Sequence, residues 1–242
     1  MTQLDGSRTA SQWMVRARIA GACYLGVVAG GIFAEGVVRS RLTVIGDSAA
    51  TLRSIAIHEP LWRAGLAVHL TYLLLTVVMT LIIYELFRPA GPTLARLALA
   101  FSLMCSTIEA ASLPLTVVPL AILRNHGAIA GFKTEQLNSL GYLAVRLFST
   151  SFSFGTFLFS GFCFCTGLLI ARSGVIWRPI GLLLMVGGAG YFIDGNLRII
   201  APDLAASLFP WLLLPGFFGE TGLALWLLIR GVRPAKANLV LP

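Results

Sequence analysis

The chain has 242 residues, of which 57% are hydrophobic and 12% charged, and it carries a formal net charge of +8. Soluble domains hold about a quarter charged residues, so this composition excludes a water-covered globule and points to a helical membrane protein. The basic residues flank apolar runs, where they read as topology signals and partners for lipid headgroups rather than as a nucleic-acid footprint.

Six apolar runs follow in chain order, at 15–38, 61–87, 94–122, 141–170, 176–199 and 209–230. Each is long enough to cross a bilayer core as a helix. The expected fold is therefore all-α: a single polytopic domain over 1–242 with six transmembrane helices, a short polar N-terminal segment (1–14) and a short tail (233–242). The first run is too long for a cleaved signal peptide and is expected to stay as span one. Cys23, Cys105, Cys163 and Cys165 all lie within apolar runs, which suits free thiols and not a secreted disulfide framework.

If the spans alternate, ten of the eighteen basic residues fall on one side, from Arg8, Arg16 and Arg18 through Arg88, Arg96, Arg172 and Arg178 to Arg230, Arg233 and Lys236. The other eight are scattered among Asp47, Glu59, Glu135 and Asp203. The positive-inside rule then makes both termini cytoplasmic, in an inner (plasma) membrane. Trp13, Trp62, Trp177, Trp211 and Trp226 lie near span ends, where amphipathic rings favour the headgroup level. Between the first two spans, Asp47 or Ser48 can cap a short helix whose Leu52, Ile55 and Ala56 share a face, as an interfacial helix requires. The connection at 124–140 is mixed in character and expected at the surface.

One phrase occurs twice. "GIFAEGVVR" at 31–39 and "GYFIDGNLR" at 190–198 share Gly, Phe, an acid, Gly and Arg in register. Each is followed by an acid, two alanines and Thr or Ser, and each is preceded by a similar "RIAG" or "RPIG". Spans one and two thus resemble spans five and six, the pattern of a parallel repeat about an axis along the membrane normal. Within each phrase acid and base are four apart, so Glu35–Arg39 and Asp194–Arg198 share helix faces as ion pairs, with the arginines snorkelling outward. Glu59 and Arg63 repeat that spacing at the start of span two, beside a Pro60 suited to a first turn. Gly26 and Gly30, and Gly187, Gly188 and Gly190, thin spans one and five so that these two helices could approach closely.

Other polar groups lie deeper. His69, Glu109 and Glu220 fall in the middle or outer half of spans two, three and six, and Arg146 enters near the outer end of span four. An ionisable residue inside a membrane is costly and points first to function. With Glu35 and Asp194 these groups form a ligand-binding set drawn from all six spans, converging in one outward-facing polar cavity. The competing reading is a satisfied structural network, for example Arg146 with Glu109.

Particular chemistries fit less well. "HEPLW" at 58–62 begins like HExxH, but Trp62 replaces the second histidine. His58 and His69 are eleven apart, roughly 16 Å along one helix, so they cannot share a haem iron, and His126 is in a loop. A zinc or iron site from His69 and the carboxylates has no supporting spacing. Ser149, Ser151, Ser153 and Ser160 lie in "STSFSFGTFLFSG" without a GxSxG elbow. No catalytic set, metal set or cofactor is assigned.

"RIAGACYLGVVAGGIFAE", "GDSAATLRSIAIHEPLWRAG", "YELFRP", "ARSGVIWRPIGLLLMVGGAGYFID" and "GETGLALWLLIRGV" together resemble the bacterial integral-membrane family known as domain of unknown function 4386. The resemblance runs from about Arg18 to Val232. It implies a six-helix bacterial membrane protein and no particular activity.

From the residues themselves, the first expectation is binding or transport of a small or lipid-like ligand, with His69 relaying protons. The alternatives are a membrane-embedded enzyme using the same groups as acid and base, and a non-catalytic assembly or regulatory protein. The lipid bilayer is the expected partner; oligomeric state is left open.

Overall fold

The computed structural model describes residues 2–124 and 131–232, with side chains from Ser11 onward. His126 and the tail 233–242 lie outside the described residues. Helix α1 (Thr2–Gly31) already includes most of the polar segment expected before span one. It continues through a π-helical segment, Ile32–Arg39, into the single turn α2 (Ser40–Leu42). Then come α3 (Ser48–Ile57), α4 (Glu59–Phe87), α5 (Pro92–Ser112), α6 (Val118–Arg124), α7 (Thr134–Ser173), α8 (Arg178–Ile200), α9 (Pro202–Leu208) and α10 (Leu214–Ile229).

Local chemistry sets several of these boundaries. Pro60, Pro92, Pro179 and Pro215 each sit in a first helical turn, where a missing N–H costs nothing. Asp47 caps α3, its side chain accepting the Ala50 N–H at 2.8 Å. Gly174, at φ 64°, ends α7 in the left-handed region that favours glycine. Between α5 and α6 the residues Leu113–Val117 tighten into a 3-10 turn that holds Pro114, whose ring removes an α-helical hydrogen bond.

Five stretches are long and apolar enough to cross a membrane: Ser11–Leu42, Glu59–Ala90, Pro92–Arg124, Thr134–Ser173 and Arg178–Ile200. The sixth apolar run is shorter than its sequence suggests. Residues 209–213 form turns, and α10 has 16 residues, below the roughly 20 of a full crossing.

The long helices close into a ring. Helix α1 packs on α4 and α10, α10 on α8, α8 on α7, α7 on α5, and α5 on α4. Each reverses direction relative to the one before. At one end Arg16 pairs with Glu85 at 2.7 Å, Gly91 meets Leu169, and Gly231 meets Met14. At the other end Val38 packs on Gly65, and Arg124 reaches Glu59 at 3.1 Å. Tyr24, Met79, Phe162, Leu184, Leu223 and Leu227 fill the ring near the first end.

Three expectations are corrected. The glycine faces of α1 and α8 do not meet each other. Gly26 and Gly30 face Leu75 and Tyr72 of α4, whereas Gly187 and Gly190 face Gly216 and Leu212 at the start of α10. Helix α3 turns Leu52 and Ile55 inward, with Leu52 against Gly141 of α7, and leaves Ala56 exposed. Trp62 is no headgroup anchor: it is buried, and its Nε1 donates to the Thr116 carbonyl at 2.9 Å. Trp177 and Trp211 are exposed.

Candidate functional site

The two copies of the repeated phrase differ in backbone. Residues 190–198 lie in the regular helix α8, whereas Ile32–Arg39 is π-helical, and the Ser40 N–H bonds the Glu35 carbonyl five residues back. Short π-helical insertions in α-helices recur at functional sites because they re-aim side chains. Here the insertion brings Glu35 and Arg39 to the inner face beside α4.

Arg39 Nη2 lies 2.6 Å from Glu35 Oε1, with the Arg39 side chain 9% exposed and that of Glu35 23%. His69 of α4 is fully buried between two acids. Its Nδ1 lies 3.4 Å from Glu35 Oε1, and its Nε2 lies 3.3 Å from Glu109 Oε2 of α5. Tyr72, one turn beyond His69, donates its hydroxyl to Glu109 Oε2 at 2.8 Å and sits 2.7 Å from His69 Nε2. The Cys105 thiol donates to Glu109 Oε1 at 3.3 Å. Phe148 of α7 closes the group. Its ring stacks under the Arg39 guanidinium at 3.8 Å and meets His69 edge-on at 5.6 Å.

The group holds two carboxyls, one guanidinium and one imidazole, of which only Glu35 is partly exposed. An imidazole bridging two carboxyls can pass a proton between them by changing tautomer. The group is not fully satisfied. Arg39 Nε and Nη1 have no hydrogen-bond partner, and the short approach of Glu35 Oε1 to Arg39 lacks hydrogen-bond alignment. Unpaired buried donors on a charged group are costly.

The other expected site residues lie elsewhere, so the six do not converge in one cluster. Glu220 is buried on α10, where Oε1 accepts the Tyr191 hydroxyl at 2.6 Å. The Tyr24 hydroxyl of α1 is nearby and has no hydrogen-bond partner. Asp194 is buried on α8 and pairs with Arg198 at 2.6 Å through Oδ2, while Oδ1 is unpartnered. Arg146 is exposed on α7, because the buried face of that helix runs through Gly141, Ala144, Val145 and Phe148. The cation beside the Glu109 group is therefore Arg39. Glu59 binds both Arg63 at 2.7 Å and Arg124 at 3.1 Å at the bundle end.

The sequence alone does not single out Tyr72, Cys105, Tyr24 and Tyr191 as contributors. Two had a signal: Tyr72 stands three residues after His69 and Cys105 four before Glu109, both same-face spacings. An apolar cleft of about 500 Å³ between α5, α7 and α8 is lined by Phe101, Phe157, Phe164 and Phe192, and the polar groups above do not line it. Among the described residues no group of three or more His, Cys, Asp or Glu side chains has the arrangement of a metal site.

Comparison with known proteins gives two matches. The family described as Domain of unknown function (DUF4386) matches residues 19–231. An archaeal protein of Archaeoglobus fulgidus, titled "Uncharacterized protein", is 25% identical over 159 residues, covering 66% of this chain and 78% of that protein. No solved structure matches.

Proposed function

The chain belongs to the DUF4386 family, and we propose that it is a six-span protein of the inner membrane, with both termini cytoplasmic, that binds or transports a small or lipid-like ligand. The ligand enters from the outer side. It contacts the group formed by Glu35, Arg39, His69 and Glu109, while the carboxyl–imidazole–carboxyl chain moves a proton as it arrives. Arg146, Asp194 and Glu220 stand outside this first contact. The reading keeps the parallel repeat, since the glycine face of the first helix of each pair lies against the second, α1 on α4 and α8 on α10.

One observation carries the proposal. Arg39 is buried, and while its Nη2 lies 2.6 Å from Glu35 Oε1, its Nε and Nη1 have no hydrogen-bond partner. A network that served only to hold the bundle would gain by satisfying them. A ligand carrying an acceptor would complete the set. The partial exposure of Glu35 supports entry from its side. The enzyme alternative has less support. The partners of His69 are Glu35, Arg39, Tyr72 and Glu109, with no serine, threonine or cysteine nucleophile among them.

Native mass spectrometry of protein purified in gentle detergent, with an absorbance spectrum of the same sample, tests the proposal. A stoichiometric small molecule or lipid is expected on the wild type, and it should be lost from Arg39→Lys and Glu109→Gln while helical content is kept. If the adduct is absent, and these variants lose stability without any change in bound species, the group is a structural network.

A further inference from the structure

The second buried acid, Glu220, differs in kind from the first group. It lies on α10 facing Tyr191 of α8 and Tyr24 of α1, deep in the seam where these three helices meet. The next titratable groups around it are the thiols of Cys163 on α7 and Cys105 on α5. All five of these side chains can be neutral, and no arginine, lysine or histidine is among the described hydrogen-bond or ion-pair partners of Glu220. A carboxylate stripped of water with no cation beside it is very costly and takes up a proton instead.

Burial without a cation carries this reading, and the hydrogen bonds permit it. Glu220 Oε1 accepts the Tyr191 hydroxyl at 2.6 Å, and a carboxyl group can accept there through its carbonyl oxygen. The Tyr24 hydroxyl, fully buried, has no partner. A carboxylate would accept that hydroxyl's O–H, and a carboxylic acid can accept it or donate its own O–H, so either form can bond Tyr24.

We propose that Glu220 is a proton-binding site: a neutral carboxyl that accepts from Tyr191, donates to Tyr24, and carries one proton in the middle of the bundle. Its hydroxyl partners lie outside the Glu35–His69–Glu109 chain, although the Cys105 thiol neighbours both Glu109 and Glu220, and the site does not depend on a ligand binding there. Because α1, α8 and α10 meet at this carboxyl, loss of its proton would place an uncompensated charge in their shared seam. Proton occupancy at Glu220 is thereby linked to how tightly these helices pack.

Infrared spectroscopy of the full chain in lipid nanodiscs at neutral pH tests the proposal through the carbonyl stretch of a protonated carboxyl. The wild type should show this band, with a small downshift in D2O. Glu220→Gln should abolish it, and Glu109→Gln should leave a band of the same position. A wild type without the band, or a band that survives Glu220→Gln unchanged, overturns the proposal. If Glu220→Gln does not fold, Tyr191→Phe replaces it. Loss of the hydrogen bond to the carbonyl should then move the band to higher frequency, and an unmoved band also overturns the proposal.

Discussion

The guanidinium of Arg39 stacks on the ring of Phe148, 3.8 Å from its centre. This contact joins the π-helical segment to α7 and gives a buried cation a partner other than a carboxylate. Desolvated cation–π contacts contribute about 2 kcal/mol, and removing the cation from a buried ion pair costs about 3–5 kcal/mol. Arg39→Gln should therefore destabilise the bundle by about 3–5 kcal/mol, and Phe148→Leu by about 2 kcal/mol. Arg39→Lys should recover only part of the loss, because an ammonium lacks the planar face. Unfolding in mixed micelles measures all three, and a lysine variant as stable as the wild type would reduce Arg39 to a point charge.

The Glu109 carboxyl receives the Tyr72 hydroxyl and the Cys105 thiol and sits against His69. Residues that share one such network are not independent. A double-mutant cycle between His69→Gln and Glu109→Gln should give a coupling energy within the range of about 0.5–3 kcal/mol seen for contacting residues. Tyr72→Phe alone should cost about 1.5–3 kcal/mol, the range for a hydrogen bond to a charged group. Additive single variants would show that His69 and Glu109 are neighbours without a shared network.

Much of this arrangement is legible in the sequence, and the remainder fails for identifiable reasons. Apolar run length gives the long helices, and the i, i+4 spacing gives Glu35–Arg39, Glu59–Arg63 and Asp194–Arg198, which lie at 2.6, 2.7 and 2.6 Å. Arg146 was expected inside because its depth along span four is right. Depth says nothing of rotation, and the buried positions 141, 144, 145 and 148 put residue 146 on another face. The turns at 209–213 shorten α10 although the apolar composition continues across them. The π-helical backbone of one repeat copy and not the other is not signalled by the Gly, Phe, acid, Gly and Arg that the two phrases share.

The α8–α10 contact depends on missing side chains. A methyl group on Gly187 would overlap the Gly216 backbone, and one on Gly190 would overlap the Leu212 carbonyl. In each case the obstacle is backbone, which cannot turn aside as a side chain can. Gly187→Ala and Gly190→Ala should each destabilise by about 1–3 kcal/mol or more, the usual cost of overpacking. Gly31→Ala is the control, since a methyl there meets nothing within 4 Å. Thermal unfolding that ranks Gly31→Ala as the most damaging of the three would mean that α8 and α10 do not approach this closely.

The orientation rests on charge, and two exposed serines test it. Ser11 lies near the start of α1, at the bundle end where Arg16 pairs with Glu85. Ser139 lies in the first turns of α7, at the opposite end near the Tyr142 hydroxyl that binds the Gly46 N–H at 2.8 Å. If the spans alternate, the sequence assigns ten of its eighteen basic residues to the Ser11 side, the modest excess that cytoplasmic loops carry. Cys23 is half-buried and Cys105, Cys163 and Cys165 are buried, so a cysteine-free background is within reach of conservative replacements. In that background, a membrane-impermeant maleimide should label Ser139→Cys in intact cells and Ser11→Cys only after permeabilisation. The reverse pattern would turn the protein over in the membrane. The partly exposed Glu35 would then face the cytoplasm, and the proposed ligand would enter from inside.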